Sequence, residues 1–213
     1  MSTTPSSIFP LIRLVSRPVT GLLARLPVSA NQVTAASLVL GLGAAWAAAE
    51  ATHGWAIASG LLMVGAYILD NCDGEIARLK MQCFSFGMHF DSFVDWAVHT
   101  ALFWGLGVGT SAATGDAFWN WLGLAAAMGG TINYALGYIL GAGPTTAESA
   151  RPPVTAGEWV LFMFRELTRA DFCFIVLALG LIDALWVLLP AGAIGAQVYW
   201  MTALIKRSRE FHV

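Results

Sequence analysis

A membrane span needs about 20 mostly apolar residues, and this 213-residue chain offers six stretches of about that length, at 33–50, 55–77, 90–110, 117–140, 171–189 and 190–205. Only Pro190, Ala191 and Gly192 separate the last two. Such a pattern predicts helices whose natural solvent is a bilayer, where every backbone polar group must be satisfied within its own segment. Composition agrees: 57% of residues are hydrophobic and 11% charged, against about a quarter charged in an ordinary soluble domain. A formal net charge of −2 argues against a nucleic-acid binder, which would carry a basic face. Cys72, Cys83 and Cys173 are too few and too irregularly placed for a disulfide framework or a zinc site, and read as small packing residues.

The positions of Lys and Arg predict the orientation. With both termini cytoplasmic, the inside segments carry Arg13, Arg17 and Arg25, then Arg78 and Lys80, then Arg151, Arg165 and Arg169, then Lys206, Arg207 and Arg209, which is all eleven. The turns near His53, Asp116 and Gly192 carry none, as the positive-inside rule requires of outside connections. Ahead of the first span, Ile8, Leu11, Ile12, Val15, Leu22 and Leu26 alternate with arginines. That pattern predicts an amphipathic helix in the membrane interface, broken or kinked at Pro18. Arginines interrupt every apolar stretch before residue 26, so the segment is not read as a secretory leader. The expected architecture is an all-α integral membrane protein: an interfacial segment at 1–30 and a six-helix domain at 31–213. The long 141–170 connection, with a second amphipathic stretch at 158–169, falls on the cytoplasmic side.

Against this background four acids stand out. The second span ends Asp70-Asn71-Cys72-Asp73-Gly74-Glu75-Ile76-Ala77-Arg78, and the third opens Gly87-Met88-His89-Phe90-Asp91-Ser92-Phe93-Val94-Asp95. An Asp at the centre of a span costs about 2.5–3.5 kcal/mol on insertion scales, so intramembrane carboxylates mark function by default. At helical spacing Asp70, Asp73, Gly74, Ala77 and Arg78 share one face, and Gly87, Asp91 and Asp95 form a stripe. Joined by a short turn, the two spans are expected to be antiparallel neighbours, with four carboxylates converging on a cavity lined by Gly74, Ala77 and Gly87. One arginine cannot neutralise four aspartates. Oxygen donors without paired histidines or a cysteine cluster favour Mg²⁺ or Mn²⁺ over Zn²⁺, and a pair of such ions suits phosphoryl transfer.

Residues 70–95 read D-x-x-D-G-x-x-A-R-x₈-G-x₃-D-x₃-D, which resembles the signature of the CDP-alcohol phosphatidyltransferase family at every defined position. The resemblance implies that Asp70, Asp73 and Asp91 ligate two Mg²⁺ ions, with Mn²⁺ able to substitute. It implies that Asp95 is the general base and close enough to share in metal coordination, and that Asp70, Asp73, Gly74 and Arg78 receive the CDP-alcohol. Asn31 and Thr34, just before the first span, resemble the family's Asn-x-x-Thr element, which helps hold the nucleotide or its phosphates; a helix cap is the competing role for Asn31.

The function implied is transfer of a substituted phosphate from a CDP-linked lipid, CDP-diacylglycerol first among them, to a small alcohol, with release of CMP. Arg165 and Arg169, four apart on one helical face, and Arg151 after them, are candidate holders of an acceptor phosphate such as that of glycerol 3-phosphate or an inositol phosphate. His99 stands four residues beyond Asp95, within reach of a hydrogen bond to it. Small residues at 125–130, Gly137 and Gly141 suit close helix packing, either within the chain or in the homodimer that the family commonly forms. The expected setting is a bacterial or archaeal cell membrane, with membrane lipids as partners and the site on the cytoplasmic side. Two rival classes use similar acids: an intramembrane prenyltransferase and a divalent-cation transporter.

Overall fold

A computed structural model describes residues 11–139 and 171–210. Among them the secondary structure is entirely helical: α1 Ile12–Leu23, α2 Ala30–Ala49, α3 His53–Leu79, α4 Ser85–Thr114, α5 Phe118–Ile139, α6 Phe172–Leu181, a single 3₁₀ turn at Leu185–Val187 and α7 Leu188–Glu210. Helices thus stand at all four of the first predicted spans. Of these, α2 and α3 are each long and apolar enough to cross a membrane. Large apolar side chains face outward on the helices, with Val39, Leu61, Trp104, Trp121, Met128 and Ile194 all exposed. Water would penalise that surface, and lipid would not.

Each helix begins and ends for local reasons. Ser29 caps α2: its hydroxyl accepts from the Gln32 amide, while the Gln32 side chain accepts from the Ser29 amide. Asn31 is therefore inside the first turn and is not the cap. Gly115, at φ 72°, terminates α4 in the left-handed conformation, and the Asp116 carboxylate accepts from Phe118 N at the start of α5. Near the C-terminus the break differs from the expected one. α6 has only ten residues, about 15 Å of helix, and the chain turns at 182–184, where Asp183 takes φ 57°. Pro190 lies inside the first turn of α7, where the amide hydrogen it lacks would have had no intrahelical acceptor. The predicted boundary at 190–192 is thus displaced by about two turns.

The helices pack in the sequence α7, α5, α4, α2, α3, and α3 is flanked in turn by α1 and α6. Small residues permit this closeness: a Cβ on Gly105 of α4 would stand 2.5 Å from the Ala45 carbonyl oxygen of α2, and Gly107 of α4 meets Gly123 of α5 backbone to backbone. Gly129, from the small-residue run, packs within the chain against Ala196 and Gln197 of α7. The principal core is formed by Ala44, Met63, Val98, Leu102, Val176 and Leu189 with their neighbours.

α3 is covered along its length by two short helices. α6 runs antiparallel to its first half, with Gly180 against Ala56 and Leu177 against Gly60. α1 takes the second half, where the Cys72 thiol donates to the Ser16 carbonyl at 3.5 Å. The α1 face turned to the protein is Ile12, Ser16 and Thr20, whereas Leu14, Val15 and Leu22 point outward. Pro18 lies within one continuous helix. Cys72 and Cys173 are buried packing residues as expected, but Cys83 is exposed.

Candidate active site

The acidic residues collect at the Leu79 end of α3 and the Ser85 end of α4, and these two helices are not direct packing partners. Both lean on α2, and their backbones hardly approach one another. The acid-bearing stripes therefore face each other across a cleft backed by α2, rather than across a tight helix pair as the short turn had suggested.

Asp70 and Asp73 of α3 and Asp91 of α4 each bring a carboxylate oxygen within 4.8 Å of the others. Asp73 is buried, the other two half-buried. At that separation two ionised carboxylates repel by roughly 3.5 kcal/mol at an effective dielectric constant of about 20, and a divalent cation removes the repulsion. The donor set is all oxygen and suits Mg²⁺ or Mn²⁺. Asp95, one turn further along α4, is outside this close group, so the expected convergence of four acids is three ligand candidates plus one neighbour.

The α2 helix contributes directly. Thr34 Oγ1 donates to Asp73 Oδ2 at 2.5 Å and lies 3.1 Å from the Ala30 carbonyl. Thr34 is buried, so its hydroxyl is spent on a carboxylate and not presented to a ligand. Asn31 is exposed, with Oδ1 3.3 Å from where a Cβ on Gly87 would stand. Gly87 thus makes room for the Asn31 side chain, which narrows the cavity predicted at that glycine. On the α3 side, the Arg78 guanidinium lies alongside Gly74, 3.6 Å from its would-be Cβ. Ala77 shares that half-buried face.

Two further polar groups hold the mouth of the cleft. Lys80 Nζ donates to the carbonyls of Leu26 and Val28, each at 2.7 Å, and Gln82 Oε1 accepts from Ala30 N at 3.0 Å. The turn between α3 and α4 is thereby fastened to the α1–α2 connection. Lys80, which charge alone would have made a phosphate ligand, is occupied by backbone.

His99 does reach Asp95, but through the main chain: Nδ1 is 2.7 Å from the Asp95 carbonyl, and Nε2 is 2.8 Å from Tyr67 Oη. His89 rests edge-on against Tyr138. Arg151, Arg165 and Arg169 lie outside the described residues, as do the 158–169 stretch and Gly141. Tyr67 and Gln82 had no motif to single them out.

The sequence model of the CDP-alcohol phosphatidyltransferase family matches residues 27–194. No curated protein matches the chain. The match covers most of the 213 residues, and the chain belongs to the CDP-alcohol phosphatidyltransferases, a membrane-associated and divalent-metal-dependent family of phosphotransferases.

Proposed function

We propose that this family member transfers a substituted phosphate from CDP-diacylglycerol to the hydroxyl of a small alcohol and releases CMP. The observation that carries the reading is the meeting of Asp70, Asp73 and Asp91 within 4.8 Å beside Gly74 and Arg78, at the ends of two apolar helices.

Asp70, Asp73 and Asp91 would hold two Mg²⁺ ions, with Asp95, from the neighbouring turn, sharing in their coordination once they are bound and Mn²⁺ able to substitute. Bound there, the ions would supply charge neutralisation for the diphosphate and for the departing CMP. Gly74 leaves the α3 backbone open to the donor, and Arg78 beside it offers a planar fork of donors to diphosphate oxygens. Asn31 faces the same mouth from α2, while Thr34 acts on the donor through Asp73. Asp95 accepts the proton of the acceptor hydroxyl. The acceptor oxygen forms a new bond to the phosphorus that carries the lipid alcohol. The bond from that phosphorus to the bridging oxygen of CMP breaks, and CMP leaves with the electron pair. Arg165, Arg169 and Arg151 are assigned to an acceptor phosphate, as in glycerol 3-phosphate or an inositol phosphate.

The setting proposed is six spans in a bacterial or archaeal cell membrane, both termini and the site cytoplasmic, in a homodimer. Arginine placement supports the orientation. The family match favours this reading over a prenyltransferase or a cation transporter.

The test is CMP release by purified protein with Mg²⁺ and CDP-diacylglycerol against glycerol 3-phosphate, serine, inositol, inositol 1-phosphate and choline. Acceptor-dependent CMP release supports the reading. No release with any acceptor, or turnover of a prenyl diphosphate in its place, overturns it.

A further inference from the structure

The separation of the acids across the cleft is not set by packing of α3 on α4, because those backbones scarcely meet. At the mouth the turn joins the two helices, and behind them stands α2. On the inner side, one turn beyond the acids, a hydrogen bond spans the gap: Tyr67 of α3 to His99 of α4, 2.8 Å between Oη and Nε2.

The direction of this bond follows from its neighbour. His99 Nδ1 is 2.7 Å from the Asp95 carbonyl, and a carbonyl only accepts, so Nδ1 carries the hydrogen. In the neutral ring Nε2 is then an acceptor, and the Tyr67 hydroxyl donates to it. The imidazole is held at one nitrogen by its own helix and at the other by α3, while Phe172 of α6 lies beside it in a tilted contact with ring centroids 5.7 Å apart. Tyr67 precedes Asp70 by three residues, and His99 follows Asp95 by four and Asp91 by eight. All these intervals keep side chains on one helical face. The bridge therefore lies under the three carboxylates and joins the same two faces that carry them.

We infer that Tyr67 and His99 are positioning residues that fix how far Asp91 stands from Asp70 and Asp73, and so set the affinity of the metal centre. This rests on the metal reading above. A ligand set split between two weakly packed helices loses affinity when the tie between them is cut, and loss of an outer hydrogen-bond partner typically lowers metal affinity about 10-fold or more.

The experiment measures Mn²⁺ binding to the purified full-length protein in detergent, without nucleotide, from the electron paramagnetic resonance signal of free Mn²⁺. Tyr67→Phe removes only the hydroxyl. His99→Asn retains a donor for the Asp95 carbonyl and loses the reach to Tyr67. Each is expected to bind Mn²⁺ about 10-fold more weakly, with the Mg²⁺ requirement for CMP release raised alike and the KM for CDP-diacylglycerol at saturating Mg²⁺ unchanged. Because the pair acts as one bridge, the double variant loses no more than either single one. Parental Mn²⁺ affinity in both single variants, or losses that multiply in the double, overturns the inference and leaves the metal reading standing. Failure of the parent protein to bind Mn²⁺ overturns both.

Discussion

Thr34 of α2 donates its hydroxyl hydrogen to Asp73 of α3, 2.5 Å away and across 39 residues of sequence. Both side chains are buried, so water cannot replace the bond if it is lost. One carboxylate of the close group is thereby oriented by the helix that backs the cleft.

Thr34→Val keeps the shape and removes the donor. The Mg²⁺ concentration needed for half-maximal CMP release is expected to rise about 10-fold, and Thr34→Ser to restore most of the difference. A direct contact of Thr34 with the nucleotide would instead raise the KM for CDP-diacylglycerol at saturating Mg²⁺. A Mg²⁺ titration at several donor concentrations separates the two.

Asp95 lies beside the three close carboxylates rather than among them, a place suited to receiving a proton. Asp95→Asn preserves size and removes the proposed base. Turnover is expected to fall by about 10²–10⁴-fold, while binding of CDP-diacylglycerol, followed by isothermal titration, is retained. Full turnover in the variant would remove Asp95 from the reaction.

Chelation should abolish activity, since three carboxylates this close need a cation between them and the donor. Activity is expected to return with Mg²⁺ or Mn²⁺ and not with Zn²⁺, which favours nitrogen and sulfur ligands. Asp70→Asn, Asp73→Asn and Asp91→Asn should each reduce turnover to background, with Mn²⁺ binding lost in parallel.

The acids were legible in the sequence because a carboxylate in an apolar run is costly, and because helical spacing alone places Asp70 with Asp73 and Asp91 with Asp95. What spans separate helices was not. Thr34 carries no sign that its partner is Asp73, because the contact depends on how α2 packs against α3. Lys80 reads as a surface cation until its ammonium is found on the Leu26 and Val28 carbonyls. Pro190 was misleading for a different reason: proline breaks a helix interior but is harmless in a first turn. The break falls at Asp183 instead, in a backbone conformation that composition does not announce.

Asp171 shows how far such hidden partners matter to the fold. It is fully buried and lies where the N-termini of α1 and α6 meet. Its carboxylate accepts from the backbone amides of Leu11 at 2.8 Å and Ile12 at 2.9 Å. The positive end of α1 is thus capped by a residue 159 positions away from Ile12, which holds that helix against the second half of α3. Hydrogen bonds to a charged group contribute about 1.5–3 kcal/mol each. Asp171→Ala also leaves two amides without a partner in an apolar setting. The expected result is a protein with a lower melting temperature in detergent, in which α1 unfolds locally and is cut by trypsin after Arg13 before the remainder of the chain unfolds; Arg17, followed by Pro18, offers no tryptic site. Asp171→Asn, which keeps one acceptor oxygen, should fall between the two. Unchanged melting and unchanged cleavage in Asp171→Ala would mean that α1 is held by its Ile12, Ser16 and Thr20 face alone.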